Sequence, residues 1–361
     1  MRILIVTQAV DQDDQALGFF HRWLEEFAPR FESIEVICLK SGRSDLPKNV
    51  RVHSLGKPSS AEASKGTGAW PLQRMRYAWR FLALTWRLRG EYAAVFVHMN
   101  EEYLLIAGWL WRLLGKRTFL WRNHKIGSWR TRLAVALSHT VCYTSPGAFV
   151  AHHRKSVQMS IGIDTDFFIP PESLPAPHTV LFLGRLDPVK KVEVCIDALR
   201  GIHTPFRADI YGSPTEPGST YSKNIAEQVQ SFVEKGTVTL HPGVSHERTR
   251  ELYRSHAIYV NLTPSGSFDK TIGEAMASGC VVVCVNDAVR DVMRAELMAK
   301  DGDARDVARA LEAALRLSPQ ERAAEMRTLR AYIEENHSLK ELIGKLANEL
   351  INSLSGSTIR R

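Results

Sequence analysis

Ten short runs of apolar, mostly β-branched residues recur along the chain, each followed by a segment of loop or helix length. In the first half they fall at 3–6, 34–38, 94–98, 117–121 and 140–143, and in the second at 179–183, 208–211, 238–240, 258–262 and 281–285. Runs this short and this apolar read as strands buried on both faces, with the segments between them as crossover helices of parallel sheets. Between the two sets lies Phe168-Ile-Pro-Pro-Glu-Ser-Leu-Pro-Ala-Pro177, whose four prolines exclude regular structure. The expectation is an α/β chain of two tandem doubly wound, Rossmann-like domains facing a cleft. Residues 1–167 form the first domain, 168–177 a linker and 178–335 the second, a division that suits 361 residues. Ser318-Pro-Gln-Glu321 matches a capping box, and Leu339, Leu342, Ile343, Leu346, Leu350 and Ile351 recur at helical spacing. Residues 336–361 are therefore expected to form a helix that packs back towards the first domain, with a frayed end at 356–361. Residues 59–68 read as a loop biased to Ser, Gly and Ala.

Charge is distributed unevenly over this frame. The formal balance is +8, yet residues 1–170 hold 23 Lys/Arg against 14 Asp/Glu, and the rest hold 24 against 25. Residues 72–132 alone carry 12 basic and 3 acidic side chains, and all eight Trp lie before residue 130. Residues 72–89 read as a helix with Leu72, Met75, Trp79, Leu82 and Trp86 on one stripe and Arg74, Arg76, Arg80, Arg87 and Arg89 elsewhere. Core packing is the favoured reading of that stripe. The rival reading is a surface helix against anionic lipid headgroups. A nucleic-acid partner is not expected, because no helix-turn-helix, zinc or RNP motif accompanies the charge.

Cys38, Cys142, Cys195, Cys280 and Cys284 are odd in number and show no CxxC spacing, so reduced thiols are expected rather than disulfides or zinc. The opening apolar run is too short for a signal-peptide core. The longest apolar stretch, 103–111, is about half of the roughly 20 residues a spanning helix needs. A cytoplasmic protein is expected, at most peripheral on the inner face of the cell membrane.

Ligands of open parallel sheets bind beyond the carboxyl ends of the strands. After the run 179–183 come Gly184, Arg185 and Lys190, two cations at a strand end beside a helix start, the makings of a diphosphate clamp. The plainer reading is a basic turn with solvated side chains. After 258–262 come small residues and then a helix from about Lys270 to Ser278, closed by Gly279. Backbone N–H groups at 267–271 are placed to hold phosphate oxygens, and Glu274 to accept from vicinal hydroxyls such as those of a ribose. A solvent-facing helical Glu is the plainer alternative. His124 and His98 end strands of the first half and are candidates there, while His152 and His153 read as surface residues.

These segments together resemble the retaining glycosyltransferases of the GT-B fold, glycosyltransferase family 4 or group 1. The resemblance runs through Met1–Thr7 and Gly18, Ile161-Gly-Ile-Asp-Thr-Asp-Phe-Phe168, Gly184-Arg-Leu186 with Lys190, Tyr211-Gly212, His241-Pro-Gly243 and Pro264 to Gly279. It implies Arg185 and Lys190 on the donor diphosphate, Glu274 on the ribose and His124 near the transferred sugar. It implies donor-binding loops at Gly184, Gly212, Gly243, Ser265, Gly266, Ser267, Phe268, Asp269, Lys270 and Thr271. Gly18 and His98 are then on the acceptor side. The donor is a nucleotide-diphosphate sugar and the acceptor a glycan or lipid-linked hydroxyl, in polysaccharide or glycolipid assembly. No metal is expected, since Arg185 and Lys190 take its place; Asp11-Gln-Asp13 and Asp164-Thr-Asp166 fit a DxD pattern only in their letters.

Two departures stand out. The family's first Glu, eight residues before Glu274, is Gly266, and Asp269, Ser265 or Ser267 is the expected substitute at the sugar. Lys191 stands where the family usually has Gly. A non-catalytic sugar-nucleotide-binding or scaffold protein on the same fold is the alternative reading.

Overall fold

A computed structural model describes residues 1–14, 17–58, 70–214, 216, 218–265, 268–300 and 302–354. The expected loop 59–68 and frayed end 356–361 lie outside these residues. The chain divides into two units, one of residues 1–160 with 340–361 and one of residues 161–339. The proline-rich segment 168–177 lies inside the second.

The first unit runs β1 (Arg2–Val10), α1 (Phe19–Phe27), β2 (Ser33–Ser41), β3 (Val50–Ser54), α2 (Trp70–Arg87), β4 (Ala94–His98), α3 (Glu102–Leu113), β5 (Arg117–Trp121), α4 (Trp129–Leu137), β6 (Thr140–Tyr143) and β7 (Ser156–Gln158). Its seven strands are all parallel, in the order β3-β2-β1-β4-β5-β6-β7. Ile5 pairs with Val36 on one side and Phe96 on the other, and all three are fully buried. Strands covered on both faces by helices have no polar side to keep in water, so their sequences are almost continuously apolar.

The second unit runs β8 (Thr179–Leu183), α5 (Val192–Arg200), β9 (Arg207–Tyr211), α6 (Thr220–Glu234), β10 (Val238–His241), α7 (His246–Ser255), β11 (Ile258–Asn261), α8 (Lys270–Ala277), β12 (Val281–Cys284), α9 (Ala304–Leu315) and α10 (Pro319–His337). Its five parallel strands are ordered β10-β9-β8-β11-β12. One core joins the central strands to α5, α8 and α9 through Val180, Phe182, Ile196, Val260, Ile272, Val283 and Leu311. The capping box forms at α10: Glu321 N–H donates to Ser318 Oγ at 3.3 Å, and Ser318 N–H donates to the Glu321 carboxylate at 3.0 Å.

The last helix, α11 (Leu339–Leu354), belongs almost wholly to the first unit. Leu342, Ile343, Leu346 and Leu350 are fully buried, and Lys345 Nζ donates to the Gln158 carbonyl of β7 at 2.8 Å. Ile351, expected on the same stripe, is partly exposed.

The apolar stripe of α2 is not in the core. Leu72, Met75, Trp79 and Trp86 are exposed and Leu82 is half-buried. Phe81, Thr85 and Leu88, spaced four and then three residues apart, face inward instead. The segment carries apolar residues on two sides, and the sheet takes the side that holds Phe81.

Candidate functional site

The strand order of the second unit reverses between β8 and β11, and in a parallel sheet the loops leaving two such strands diverge and open a crevice. From β8 come Gly184, Arg185 and a 3₁₀ turn, Pro188–Lys190, which Asp187 caps by accepting from Val189 N–H at 3.0 Å. From β11 come Thr263 and the start of α8. Lys190 spans the two, donating to Asp269 at 2.5 Å and to Thr263 Oγ1 at 3.0 Å. Asp269 is the N-cap of α8; its Oδ1 accepts from Thr271 N–H and its Oδ2 from Thr263 Oγ1 and Asn261 Nδ2. Burial by itself would raise this carboxyl, but the Lys190 charge and these donors outweigh it and hold the pKa at about 2. The result is a fixed ion pair at the switch point, with Arg185 exposed on the same loop after β8.

Several of the expected site residues have partners within the protein. Asp269, expected as the substitute for the first Glu, has its oxygens engaged by the helix cap and by Lys190. Of the N–H groups expected to hold phosphate, that of Thr271 is already bonded to Asp269. Lys270 is half-buried with Nζ donating to the Gly162 carbonyl at 2.9 Å, and desolvation lowers its pKa to about 8. Phe268 is buried edge-on to His337, with ring centroids 5.0 Å apart. Ser265 Oγ accepts from Asp287 N–H at 2.9 Å, tying two strand-end loops together. Gly266 and Ser267 lie outside the described residues.

Glu274 is buried rather than solvent-facing. His246 Nε2 lies 3.2 Å from Oε1, and Tyr253 OH donates to Oε2 at 3.4 Å, both from α7. The His246 ring in turn stacks at 16° on Phe167. Neither His246 nor Tyr253 was expected, and only the packing of α7 against α8 brings them to the carboxylate. Gly212 has a packing role: a Cβ there would stand 2.3 Å from the Gly184 carbonyl, so its absence lets the loops after β8 and β9 touch. Gly243 N–H donates to Ser213 Oγ at 2.9 Å.

In the first unit, His98 is buried, stacked on Phe20 at 4.2 Å, with Nδ1 3.3 Å from Thr7 Oγ1. It packs as a core histidine, because α1 lays Phe20 and Trp23 over the end of β4. His124 is exposed, with Ile126 N–H donating to its Nδ1 at 3.0 Å. Gly18 is the N-cap of α1. The two Asp-x-Asp sequences are also engaged locally, Asp13 with Arg43 and Asp164 with the N–H groups of Asp166 and Phe167.

Residues 177–316, which hold the Lys190–Asp269 pair and Glu274, match the family model described as Glycosyl transferases group 1. The match to that family thus falls within the second unit. The fold of the whole chain is that of the GT-B glycosyltransferases, as solved structures show. HepE from Anabaena, in complex with UDP and glucose, is similar at TM-score 0.74 and 15% identity, covering 98% of this chain and 99% of that one. Sucrose-phosphate synthase from Thermosynechococcus elongatus reaches 0.75 at 15% identity, covering 99% and 100%. The lipopolysaccharide outer core galactosyltransferase WaaB, in apo form, reaches 0.64 at 16% identity, covering 98% and 100%. No curated protein matches in sequence.

In the second unit, Lys191 carries a consequence of the missing Gly. Its φ is +50° and ψ +46°, the left-handed region, where it joins the 3₁₀ turn to α5. A side chain there costs about 1–2 kcal/mol, of which glycine's greater unfolded-state entropy cancels roughly half. Lys191→Gly is therefore expected to stabilise the protein by about 0.5–1 kcal/mol, seen as a higher urea midpoint. Lys191→Ala retains the strain and is expected to leave the midpoint where it is.

Proposed function

We propose that the protein is a retaining glycosyltransferase. It moves a sugar from a nucleotide-diphosphate donor to a hydroxyl of a glycan or lipid-linked acceptor in cell-surface polysaccharide or glycolipid assembly. The observation that carries the reading is the pair of cations, Arg185 and Lys190, at the switch point of the unit that matches the group 1 glycosyl transferases. The donor diphosphate lies against them and Glu274 receives the ribose hydroxyls. A structural neighbour of this fold, HepE, has been captured with UDP-glucose.

In the transfer, the bond from the anomeric carbon to the diphosphate oxygen breaks while the acceptor oxygen bonds to that carbon from the same face. The acceptor's proton passes to the departing phosphate oxygen. Lys190 and Arg185 stabilise the charge that grows on that oxygen, a fixed electrostatic role of the kind that usually contributes most to catalysis. No metal is needed where two side-chain cations do this. The first unit is assigned the acceptor, and the cytoplasm is the proposed compartment, with peripheral membrane attachment.

The second reading, a binding protein without turnover, is favoured by Gly266 at the first-Glu position together with the commitment of Asp269. A panel of UDP-, GDP- and ADP-sugars separates the two. For the transferase, one diphosphate series is expected to raise Tm, by about 2.7 kcal/mol of stabilisation at a hundredfold excess over Kd, and one of its sugars to turn over. The same shift without turnover of any sugar supports the binding protein, and no shift with any nucleotide defeats both.

A further inference from the structure

We infer that the outer face of α2, α3 and α4 is a docking surface for an anionic lipid bilayer. The crossovers β3 to β4, β4 to β5 and β5 to β6 all advance in one direction across the sheet, so the right-handed rule places these three helices on one side of it. They lie next to one another, α3 against both α2 and α4. Their inward residues, among them Phe81, Leu104, Trp111 and Ala134, form a common core with the sheet.

Their outward residues are not those of an ordinary soluble surface. Trp79 and Trp129 are 70% exposed, Trp86 51% and Trp109 50%, and Leu72 and Leu113 stand out beside them. In the second unit the described large apolar residues exposed to this degree are Leu174, Val189 and Val233, with no aromatic among them. The same stretch of the first unit has 12 basic residues to 3 acidic. Two of the indoles carry a guanidinium over the ring, Arg89 on Trp86 at 4.3 Å and Arg130 on Trp129 at 5.6 Å.

An exposed indole beside an arginine suits the headgroup layer, where the ring meets the acyl boundary and the cation meets phosphate. Each basic side chain near an anionic surface adds to the attraction. A single-stranded nucleic acid would also take the indoles and the charge, but it has nothing to cover Leu72, Met75, Leu113 and Leu133. Hydrocarbon has. Among the described residues no helix is long and apolar enough to cross a membrane, so attachment at this face is peripheral. The inference deepens the proposed reading, since it names the surface on which a lipid-linked acceptor is met, and it rests on that reading for the acceptor alone.

The full chain is to be sedimented with vesicles of phosphatidylcholine and with vesicles that also contain phosphatidylglycerol, with and without competing RNA. Expected are binding to the anionic vesicles only, a blue shift of Trp emission, and a bound fraction that falls as salt rises. The triple variant Trp79→Ser, Trp86→Ser, Trp129→Ser is expected to bind more than about tenfold more weakly, while its thermal shift with nucleotide stays as in the parent. Equal binding to neutral vesicles, no binding, displacement by RNA, or an unaffected triple variant each overturns the inference. A normal nucleotide shift alongside any of these leaves the transferase reading standing, and normal vesicle binding without a nucleotide shift does the reverse.

Discussion

On the proposed reading, Lys190→Met is expected to abolish sugar transfer, with kcat/KM lowered by about three orders of magnitude, since it removes the fixed charge assigned to the leaving phosphate. The same change is expected to destabilise the protein by about 3–5 kcal/mol, because Asp269 stays buried with its ion partner gone. The double variant Lys190→Met, Asp269→Asn separates the two effects. It removes the stranded charge, so most of the stability returns while turnover does not. Acid titration gives a second signature. In the parent the Asp269 carboxyl is held at about 2, below its unfolded value of 3.8. The stability this contributes, about 2 kcal/mol, is present above the unfolded value and lost as pH falls towards 2. In Lys190→Met the largest cause that lowers this carboxyl is gone while burial still raises it, so its pKa moves up towards the unfolded value and this acid-labile contribution shrinks. Urea midpoints followed from neutral pH downwards are expected to fall more steeply in the parent than in the variant; parallel falls in both would show that Lys190 is not the partner that matters.

Glu274→Ala has the second-largest expected effect. If its carboxylate accepts from two ribose hydroxyls, removing it costs about 1.5–3 kcal/mol for each charged hydrogen bond, or up to some hundredfold to ten-thousandfold in donor affinity. Ribose binding is made equally in the bound donor and at the transition state, so the loss is expected in KM with kcat largely kept. Tyr253→Phe removes only the donor at 3.4 Å that fixes one carboxylate oxygen, and a KM rise of less than about tenfold is expected. Steady-state kinetics with the accepted donor check both. A fall in kcat at constant KM for Glu274→Ala would move this residue from the ribose to the reacting centre.

The strands were readable in the sequence because a parallel sheet buried on both faces needs apolar runs, and all ten expected runs are strands. β3 and β7 were not read. Val50-Arg-Val-His-Ser54 alternates as an edge strand does, and Ser156-Val-Gln158 is too short to show a pattern. The strand-end rule led to Arg185, Lys190 and Asp269, but residue types alone do not say which charges satisfy one another. Asp269 reads as a sugar contact, and only its distances to Lys190 and Thr271 N–H show that it also caps α8. His98 shows the converse case, a strand-end imidazole that the aromatic residues of α1 draw into the core. The α2 stripe misled because Trp79 and Phe81 lie on different faces of one helix, and hydrophobicity does not rank them.

The first unit takes in α11 from beyond the second unit, with Lys345 bonded to β7 and Leu342, Ile343 and Leu346 buried. During synthesis the first unit therefore emerges without one of its covering helices, and β6 and β7 lack that packing until the whole of the second unit has been made. The unit that comes off the ribosome first is the one finished last. The sheet of the second unit thus already exists before the first unit gains its last helix.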